Sequence, residues 1–419
     1  MQKFIITGGN RLSGEIELQG SKNSTLPIMA AAILAKDKCV LESCPNLADV
    51  YSAARILNSL GCKCSLVGNR AEIDSSEAEG SKIPESLMRE MRSSIMFMGA
   101  ILGRTGDCIF SVPGGCELGP RPIDMHLAAL SKMGAEISSC GGEISCHMPK
   151  GKAHGARISL SFPSVGATEN IILCAVLAEG ETVINNAARE PEICYMCRFL
   201  RSCGAKIKGD GESRIVVEGV EKLHGCEYRI MPDRIAGATY LAMTAAAGGA
   251  MILKNACVAE MEPFISVLEQ TGCFICAAEN RIYLRRGGRL KAVRDRIRTM
   301  PHPGFPTDAQ AILMAALATA DGTSVFEENI FDCRYRHTDA LIKMGADIQV
   351  MGKAAVIRGV NRLHGADVEA TDLRGGAAMA VAAVGAEGTT RISCISHIDR
   401  GYEKFENMIT SLGGRIIRE

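Results

Sequence analysis

The stretch VPGGCELGPRP at residues 112–122 places a cysteine and an arginine, Cys116 and Arg121, among glycines and prolines. Proline cannot donate to a strand ladder and glycine adopts backbone angles closed to other residues, so this stretch predicts a shaped loop. A thiol near cationic side chains is reactive, because positive charge stabilises its thiolate. The stretch therefore predicts a chemically active cysteine close to an anion-binding arginine.

Polar residues also recur where apolar, alanine-rich segments begin. Helix N-termini carry free N–H groups and partial positive charge, and an added lysine or arginine strengthens their attraction for phosphate or carboxylate. Taken singly, an acid in a first turn is most often a cap, and a lysine or arginine is most often a solvated surface charge. Recurrence at one structural position favours a binding site. The residues concerned are Lys22, Asn23, Arg92, Asp233, Arg234, Thr307, Asp308, Asp372 and Arg374.

An internal repeat makes these positions equivalent. A helical segment that runs into a glycine recurs six times, as LNSLGC, LSKMGA, LRSCGA, LEQTGC, LIKMGA and ITSLGG, with the glycines 68 to 73 residues apart. Each copy also contains an apolar helix, a short strand and a loop that precedes the second helix. The period predicts six copies of one mixed α/β unit, arranged either as an open array or as two closed groups of three.

The loops before the second helices carry further charge. Arg121 and Arg400 lie 13 residues before their glycines, Arg334 lies 11 before and Glu190 lies 14 before. If two groups of three repeats face each other, one cleft could be lined by several cations, with Asp308 and Cys116 as the groups that move protons. Such a cleft would bind a small, multiply anionic substrate and perform acid/base chemistry. The cations are Lys22, Arg92, Arg121, Arg334, Arg374 and Arg400.

The composition argues against several classes of protein. Lys plus Arg equals Asp plus Glu at 47 each, so the chain has no net charge to favour nucleic acid or an anionic membrane. Aromatic residues make up 4% and tryptophan is absent, which disfavours base stacking. No apolar run approaches the roughly 18 to 20 residues of a membrane span, and the N-terminus alternates like a strand. We therefore expect a cytoplasmic protein of two domains.

The chain contains 18 cysteines, most of them among apolar neighbours. In a cytosolic chain of 419 residues this count does not predict a disulfide framework, and most of the thiols are expected to be small core residues. Two CxxC pairs, Cys194 with Cys197 and Cys273 with Cys276, have the spacing of zinc half-sites. The first pair lies in a helical pattern and the second leads into a strand, which favours core packing.

Nine motifs between Lys3 and about Arg418 together resemble the UDP-N-acetylglucosamine 1-carboxyvinyltransferase family, in the EPSP synthase superfamily. They are GSKNSTLP, MRSSIMFMGA, PGGCELGPRPIDMH, PSVGAT, AAREPE, PDRI, HPGFPTDAQ, TDLR and HIDRGYE. The resemblance implies transfer of the enolpyruvyl group of phosphoenolpyruvate to the 3-hydroxyl of UDP-N-acetylglucosamine, with release of phosphate. This is the first committed step of peptidoglycan synthesis, and the family uses no metal or other cofactor.

The resemblance also implies the fold, an α/β architecture of two inside-out barrels with three βαβαββ units each. Residues 1–21 with 230–419 would form the catalytic domain carrying Asp308, Arg374 and Arg400. Residues 22–229 would form the domain carrying Lys22, Arg92 and the Cys116 loop. The family further implies a monomer whose partners are its two small-molecule substrates.

Roles follow from motif positions in the same resemblance. Cys116 is the implied general acid at C3 of phosphoenolpyruvate and Asp308 the implied base. Lys22, Arg121 and Arg400 would hold phosphate, while Arg334 and Arg374 would hold the carboxylate. The nucleotide sugar and its surroundings would involve Asn23, Arg92, Arg121, Pro122, Ile123, Asp124, Met125, Ser164, Val165, Gly166, Asp308, Asp372 and the backbone at Ile330.

The chain departs from residues common in the family at Asn46, Ala48, Phe162, Ala236 and Cys333. These departures bear on affinity for the nucleotide diphosphate and on domain closure, and leave the reaction type unchanged. Four alternatives remain at this point: the shikimate-phosphate enolpyruvyl transferase, a catalytically silent paralogue that binds a nucleotide sugar, a nucleic-acid clamp and a structural solenoid. The shikimate-phosphate enzyme lacks the PGGC loop, which this chain has.

Overall fold

The computed structural model describes residues 2–111 and 123–419, without the side chain of Arg92. Contacts between Cα atoms divide these residues into two units. We call residues 20–111 and 123–231 the central unit, and residues 2–19 and 232–419 the terminal unit. The sequence predicts domain boundaries after residues 21 and 229.

The helices and strands alternate along the chain. The helices of the described residues are α1 (Lys22–Ala32), α2 (Ala48–Ser59), α3 (Glu85–Glu90), α4 (Phe97–Thr105), α5 (Asp124–Lys132), α6 (Val165–Ala175), α7 (Pro191–Ser202), α8 (Arg234–Ala247), α9 (Val258–Gln270), α10 (Thr307–Leu317), α11 (Thr338–Lys343), α12 (Leu373–Gly385), α13 (Ser396–Asp399) and α14 (Phe405–Ser411), with 3₁₀ turns at Ile33–Ala35 and Arg92–Met96. The strands are β1 (Phe4–Thr7), β2 (Leu12–Glu17), β3 (Lys38–Glu42), β4 (Lys63–Val67), β5 (Arg70–Asp74), β6 (Asp107–Ser111), β7 (Glu136–Cys140), β8 (Glu143–His147), β9 (Arg157–Ser159), β10 (Glu181–Asn185), β11 (Lys206–Lys208), β12 (Arg214–Glu218), β13 (Glu227–Arg229), β14 (Gly249–Lys254), β15 (Phe274–Ala278), β16 (Arg281–Arg286), β17 (Ile297–Arg298), β18 (Thr323–Glu327), β19 (Asp347–Met351), β20 (Ala354–Arg358), β21 (Asp367–Glu369), β22 (Thr389–Ser393) and β23 (Arg415–Arg418).

Each unit contains three small sheets among its described residues. Those of the central unit have the strand orders β13-β3-β5-β4, β6-β8-β7 and β11-β12-β10-β9. Those of the terminal unit have the orders β15-β16-β14-β2, β17-β18-β20-β19 and β21-β22-β1-β23. Every four-stranded sheet has one parallel pair, and in the three-stranded sheet an isolated parallel bridge between Lys82 and Ile109 takes that place. One strand pattern is therefore repeated.

The six glycines of the sequence repeat occupy one backbone conformation. Each lies two residues beyond the last residue of a helix and has a φ between 81° and 102°. Glycine adopts this left-handed region without steric cost. A residue in this region ends a helix, because its own N–H and the next N–H then bond back to the last carbonyl oxygens of the helix. The repeat inferred from sequence is thus confirmed at these helix ends. The glycines are Gly61, Gly134, Gly204, Gly272, Gly345 and Gly413.

The apolar helices form the core of each unit. In the terminal unit α8, α10 and α12 contact one another. In the central unit α4 contacts both α1 and α6. Gly99 of α4 shows how closely α4 and α6 approach, because an added Cβ would lie 2.2 Å from the Asn170 carbonyl oxygen. Burial on almost every face matches the alanine-rich, nearly all-apolar sequence of these helices. Their polar first turns are consequently held in place by a rigid core.

Candidate active site

A carboxylate held by two buried arginines lies at the start of α10. Arg334 Nη2 donates to Asp308 Oδ1 at 2.8 Å, and Arg374 Nη2 donates to Asp308 Oδ2 at 3.4 Å. The side chains of Arg334 and Arg374 are 2% and 5% exposed, whereas that of Asp308 is 30% exposed. The two cations therefore fix a carboxylate that solvent and small molecules can reach. These three residues are members of the predicted site, and the fold brings them together.

Arg334 also orders the first turn of α10. Its Nε and Nη2 donate to the Thr307 carbonyl oxygen at 3.3 and 3.1 Å. The helix begins after Pro306, whose extended backbone directs Thr307 and Asp308 into the first turn. One guanidinium thus positions both the backbone and the carboxylate of the same turn.

Glu328 was not predicted from sequence, yet it joins this turn to a neighbouring loop. Its buried carboxylate accepts hydrogen bonds from the hydroxyls of Thr299 and Thr307 and from the backbone N–H groups of Ile330 and Phe331. The predicted ligand-binding backbone at Ile330 therefore has its N–H engaged within the protein. The adjacent acidic residues Glu327 and Glu328, in the sequence FEEN, were the available signal. The burial of Glu328, however, depends on tertiary contacts.

Arg374 belongs to a chain of polar groups inside the terminal unit. Its Nη1 donates to the Tyr402 hydroxyl at 3.1 Å, and that hydroxyl is 2.8 Å from the hydroxyl of Thr239. Burial alone would lower the pKa of the Arg374 guanidinium, but the Asp308 carboxylate and its other neighbours raise that pKa above its ordinary value. Arg374 is therefore a permanent cation whose position is fixed on both sides.

Two further predicted residues of this unit have local roles. Asp372 Oδ1 accepts from the backbone N–H groups of Arg374 and Gly375, each at 3.0 Å, and so caps α12. Arg400 follows α13 as its C-cap residue and is half-buried. The cap explains why an aspartate stands two residues before Arg374, because it fixes the first turn that carries this arginine.

His337 is a buried neighbour of Arg334, and it gives a testable pH dependence. It is fully buried, its Nδ1 donates to the Arg334 carbonyl oxygen at 3.1 Å, and its Nε2 has no hydrogen-bond partner among the described residues. Burial lowers the pKa of His337 to about 4, with Asp372 opposing the shift and Arg334 adding to it. The neutral ring therefore stabilises the fold fully above the unfolded pKa of about 6.5, and this stabilisation is lost as the pH falls towards 4.

We expect a His337→Gln variant to lose less stability on acidification than the wild-type protein. The difference should reach about 3 kcal/mol between pH 6.5 and pH 4, since each pKa unit corresponds to about 1.4 kcal/mol. Urea unfolding at half-unit pH steps measures it. Parallel curves for the two proteins would contradict a neutral, buried His337.

In the central unit, Lys22 is the first residue of α1, behind the capping side chain of Ser21. Its Nζ lies 3.2 Å from Asp49 Oδ2, and the two side chains are 13% and 4% exposed. Asp49, in the first turn of α2, was not predicted from sequence. Asn23 follows Lys22 in the same turn and is half-buried. The lysine is thus oriented by an almost fully buried carboxylate.

The predicted residues of α5 and α6 are neighbours. Ser161 Oγ donates to Met125 Sδ at 3.5 Å, and an added Cβ at Gly166 would lie 3.1 Å from the His126 ring. Asn170, fully buried and not predicted, bonds the Ile95 and Gly166 carbonyls, the Gly99 N–H and His126 Nδ1. The fold thereby brings together the start of α5, the start of α6 and the 3₁₀ turn that begins at Arg92. The predicted residues concerned are Ile123, Asp124, Met125, Ser164, Val165 and Gly166.

Some predicted residues fall outside this description. Cys116, Arg121 and Pro122 lie outside the described residues, and for Arg92 only the backbone is described. Neither CxxC pair is extended into a metal site, because the described residues contain no group of three or more His, Cys, Asp or Glu side chains that could hold a metal ion. Within the same residues, no helix is long and apolar enough to cross a membrane.

The departures from the family pattern are mostly accessible. Asn46, Ala48, Phe162 and Cys333 are exposed, and Phe162 is 39% exposed although it is a large apolar side chain. Ala236 is instead fully buried, and its N–H donates to Asp233 Oδ1 at 2.9 Å. Four of the five departures are therefore accessible to solvent.

Comparison with known proteins gives the class. The structure matches the enolpyruvyl transferase NikO from Streptomyces tendae with a TM-score of 0.89 and 22% identity, over 100% of this chain and 98% of that chain. A family model described as EPSP synthase (3-phosphoshikimate 1-carboxyvinyltransferase) matches residues 6–409. The fold is therefore the α/β fold of the enolpyruvyl transferases.

Two relatives narrow the class further. The chain is 50% identical over 419 residues to the UDP-N-acetylglucosamine 1-carboxyvinyltransferase 2 of Caldanaerobacter subterraneus subsp. tengcongensis, covering 100% of both proteins. It is 44% identical over 420 residues to the UDP-N-acetylglucosamine 1-carboxyvinyltransferase of Nitratidesulfovibrio vulgaris, again with 100% of both covered. The chain belongs to the EPSP synthase family and, within it, to the UDP-N-acetylglucosamine 1-carboxyvinyltransferases.

Proposed function

We propose that the protein transfers the enolpyruvyl group of phosphoenolpyruvate to the 3-hydroxyl of UDP-N-acetylglucosamine and releases phosphate, in the first committed step of peptidoglycan synthesis. The observation that carries the proposal is Asp308, a reachable carboxylate held by the buried guanidinium groups of Arg334 and Arg374. Full-length relatives that carry this activity in their names support it.

The reaction needs one proton delivered and others removed. Protonation of C3 of phosphoenolpyruvate makes C2 electron-poor, and the sugar hydroxyl attacks C2 to give a tetrahedral ketal. Loss of a C3 proton then expels phosphate and regenerates the enol ether. We assign the first proton to Cys116, and we assign removal of the hydroxyl or methyl proton to Asp308. The proton of the sugar hydroxyl leaves with the released phosphate, so the protons balance.

In this proposal, fixed cations stabilise the negative charges of phosphoenolpyruvate. Arg334 and Arg374 act on the carboxylate of phosphoenolpyruvate, and Lys22, Arg121 and Arg400 act on its phosphate. Preorganised donors of this kind stabilise developing charge without reorganisation, and the proposed mechanism uses no metal ion.

Contacts to the nucleotide sugar are assigned within each unit separately. In the central unit these are Asn23, Arg92, Pro122 and the grouped residues at the starts of α5 and α6. In the terminal unit they are Asp308, Asp372 and the backbone at Ile330. The exposed Phe162, one of the departures from the family pattern, lies three residues before Val165, where α6 begins.

The finer architecture is part of the proposal. We propose that each unit is an inside-out α/β barrel of three βαβαββ repeats, the central unit carrying the Cys116 loop and the terminal unit the catalytic base. Three sheets in each unit and six left-handed glycines at equivalent helix ends support this arrangement. We further propose that the protein works as a cytoplasmic monomer.

The experiment is a phosphate-release assay with phosphoenolpyruvate and one of two acceptors. We expect release with UDP-N-acetylglucosamine, none with shikimate 3-phosphate, and loss of release in a Cys116→Ser variant. Release with shikimate 3-phosphate would assign the runner-up activity. Calorimetric binding of the nucleotide sugar without any release would mark a silent binding protein and overturn the proposal.

A further inference from the structure

Three cysteines meet in the central unit, far along the chain from the loop that carries Cys116. Cys203 Sγ and Cys226 Sγ are 3.5 Å apart, and the thiol of Cys39 hydrogen-bonds with both. Cys39 and Cys203 are 0% and 1% exposed, whereas Cys226 is half-buried. One thiol of the cluster is therefore accessible from solvent and the other two lie behind it.

The backbone holds these thiols together. Cys39 lies in β3, Cys226 directly precedes β13, and the two strands are parallel, with the Val40 N–H donating to the Cys226 carbonyl at 2.9 Å. Cys203 is the C-cap residue of α7, and its carbonyl accepts from the His224 N–H at 2.9 Å. At Gly225 an added Cβ would lie 2.0 Å from the Lys38 carbonyl oxygen, so the segment around Cys226 is pressed against β3.

We propose that Cys203 and Cys226 are a reversible oxidation site, which hydroperoxides convert into a disulfide. The sulfur atoms need to approach by only about 1.5 Å, since a disulfide bond is about 2.05 Å long. The described residues contain no metal-binding group of His, Cys, Asp or Glu, so oxidation is the chemistry this cluster supports. The inference is independent of the proposed function.

The oxidation balances in two steps. As Cys226 Sγ attacks one oxygen of hydrogen peroxide, the O–O bond breaks, the Cys226 proton passes to the departing hydroxide, water leaves and Cys226 becomes a sulfenic acid. Cys203 Sγ then attacks the Cys226 sulfur, the S–O bond breaks, and water leaves with the Cys203 proton. Together the two thiols lose two electrons, and hydrogen peroxide gains these two electrons.

Peptide mass spectrometry tests the proposal. The full-length protein is treated with hydrogen peroxide, its remaining thiols are alkylated, and it is cleaved with trypsin. We expect residues 202–206 to be joined to residues 223–229 with a loss of two hydrogens, and dithiothreitol should separate them. Cys140 and Cys276, which are exposed, are the internal comparison and should form no such link.

Two variants assign the roles. Cys203→Ala should leave Cys226 as a sulfenic acid that dimedone captures, and Cys39→Ala should still form the link, which shows that Cys39 is not one of the two linked thiols. Capture by dimedone in the wild-type protein without any link would overturn the proposal. So would a link from residues 223–229 to the peptide that begins at Cys39, or full alkylation of Cys226 after peroxide treatment.

Discussion

An Asp308→Asn variant is expected to lose at least about a thousandfold in kcat/KM for phosphoenolpyruvate, because it removes the proposed base while keeping the shape of the side chain. General base catalysis contributes about 10² to 10⁴ in rate, and the amide also cannot balance the charge of Arg334 and Arg374. Both guanidinium groups are almost fully buried, so they lose their carboxylate partner in a place where water replaces it poorly. The assay is phosphate release under steady-state conditions.

The chain offers a matched control for this variant. Asp347 pairs with Arg358 at 3.2 Å, and their side chains are 50% and 53% exposed. An Asp347→Asn change removes the same group from the same kind of pair at the surface, where such pairs contribute about 1 kcal/mol or less. It should leave kcat/KM unchanged. If Asp308→Asn keeps more than a tenth of the wild-type kcat/KM while remaining folded by circular dichroism, Asp308 is not the base.

A Lys22→Gln variant is expected to lower kcat/KM about 10²- to 10³-fold, chiefly by raising KM for phosphoenolpyruvate. In the proposed function Lys22 holds the phosphate, and removal of one preorganised charged donor costs this much in comparable sites. The change also removes the ion pair between Lys22 and Asp49. Because the Asp49 side chain is only 4% exposed, this loss should lower the free energy of unfolding by on the order of 3 kcal/mol. Chemical unfolding and steady-state kinetics measure the two effects separately.

A second substitution separates binding from stability. A Lys22→Gln, Asp49→Asn double variant removes both charges, so it should recover most of the lost stability and none of the lost activity. Lys63→Gln is the surface control, since Lys63 pairs with Glu77 at 3.0 Å and both side chains are more than 70% exposed. Recovery of activity in the double variant would show that Lys22 acts through the fold and not on the substrate.

Much of the architecture could be predicted because it depends on local signals. The six glycines end helices wherever they occur, since the left-handed backbone angle is a property of the residue itself. Ser21 and Ser164 cap apolar helices for an equally local reason. The start of α1 at Lys22 and the start of α10 at Thr307 are therefore predictable from the residues around them.

The pairings within the site could not be predicted in the same way. Asp308 contacts Arg334 and Arg374, which lie 26 and 66 positions further along the chain. Lys22 contacts Asp49, which lies 27 positions further along. Glu328 and Asn170 satisfy buried backbone groups, so their importance appears only when the burial of their neighbours is known. Composition and periodicity identify the charged residues, but only packing determines which of them share a hydrogen bond.

The position of β1 restricts the order in which the newly made chain can fold. β1 lies between β22 and β23, so residues 4–7 pair with residues 389–392 and 415–418. At a synthesis rate of about 5 to 20 residues per second, the first strand waits about 20 to 80 s for its partners. During that interval its N–H and C=O groups are open to pairing with other chains. The described sheets of the central unit use no strand beyond residue 229, so they can form while the ribosome is still making the terminal unit.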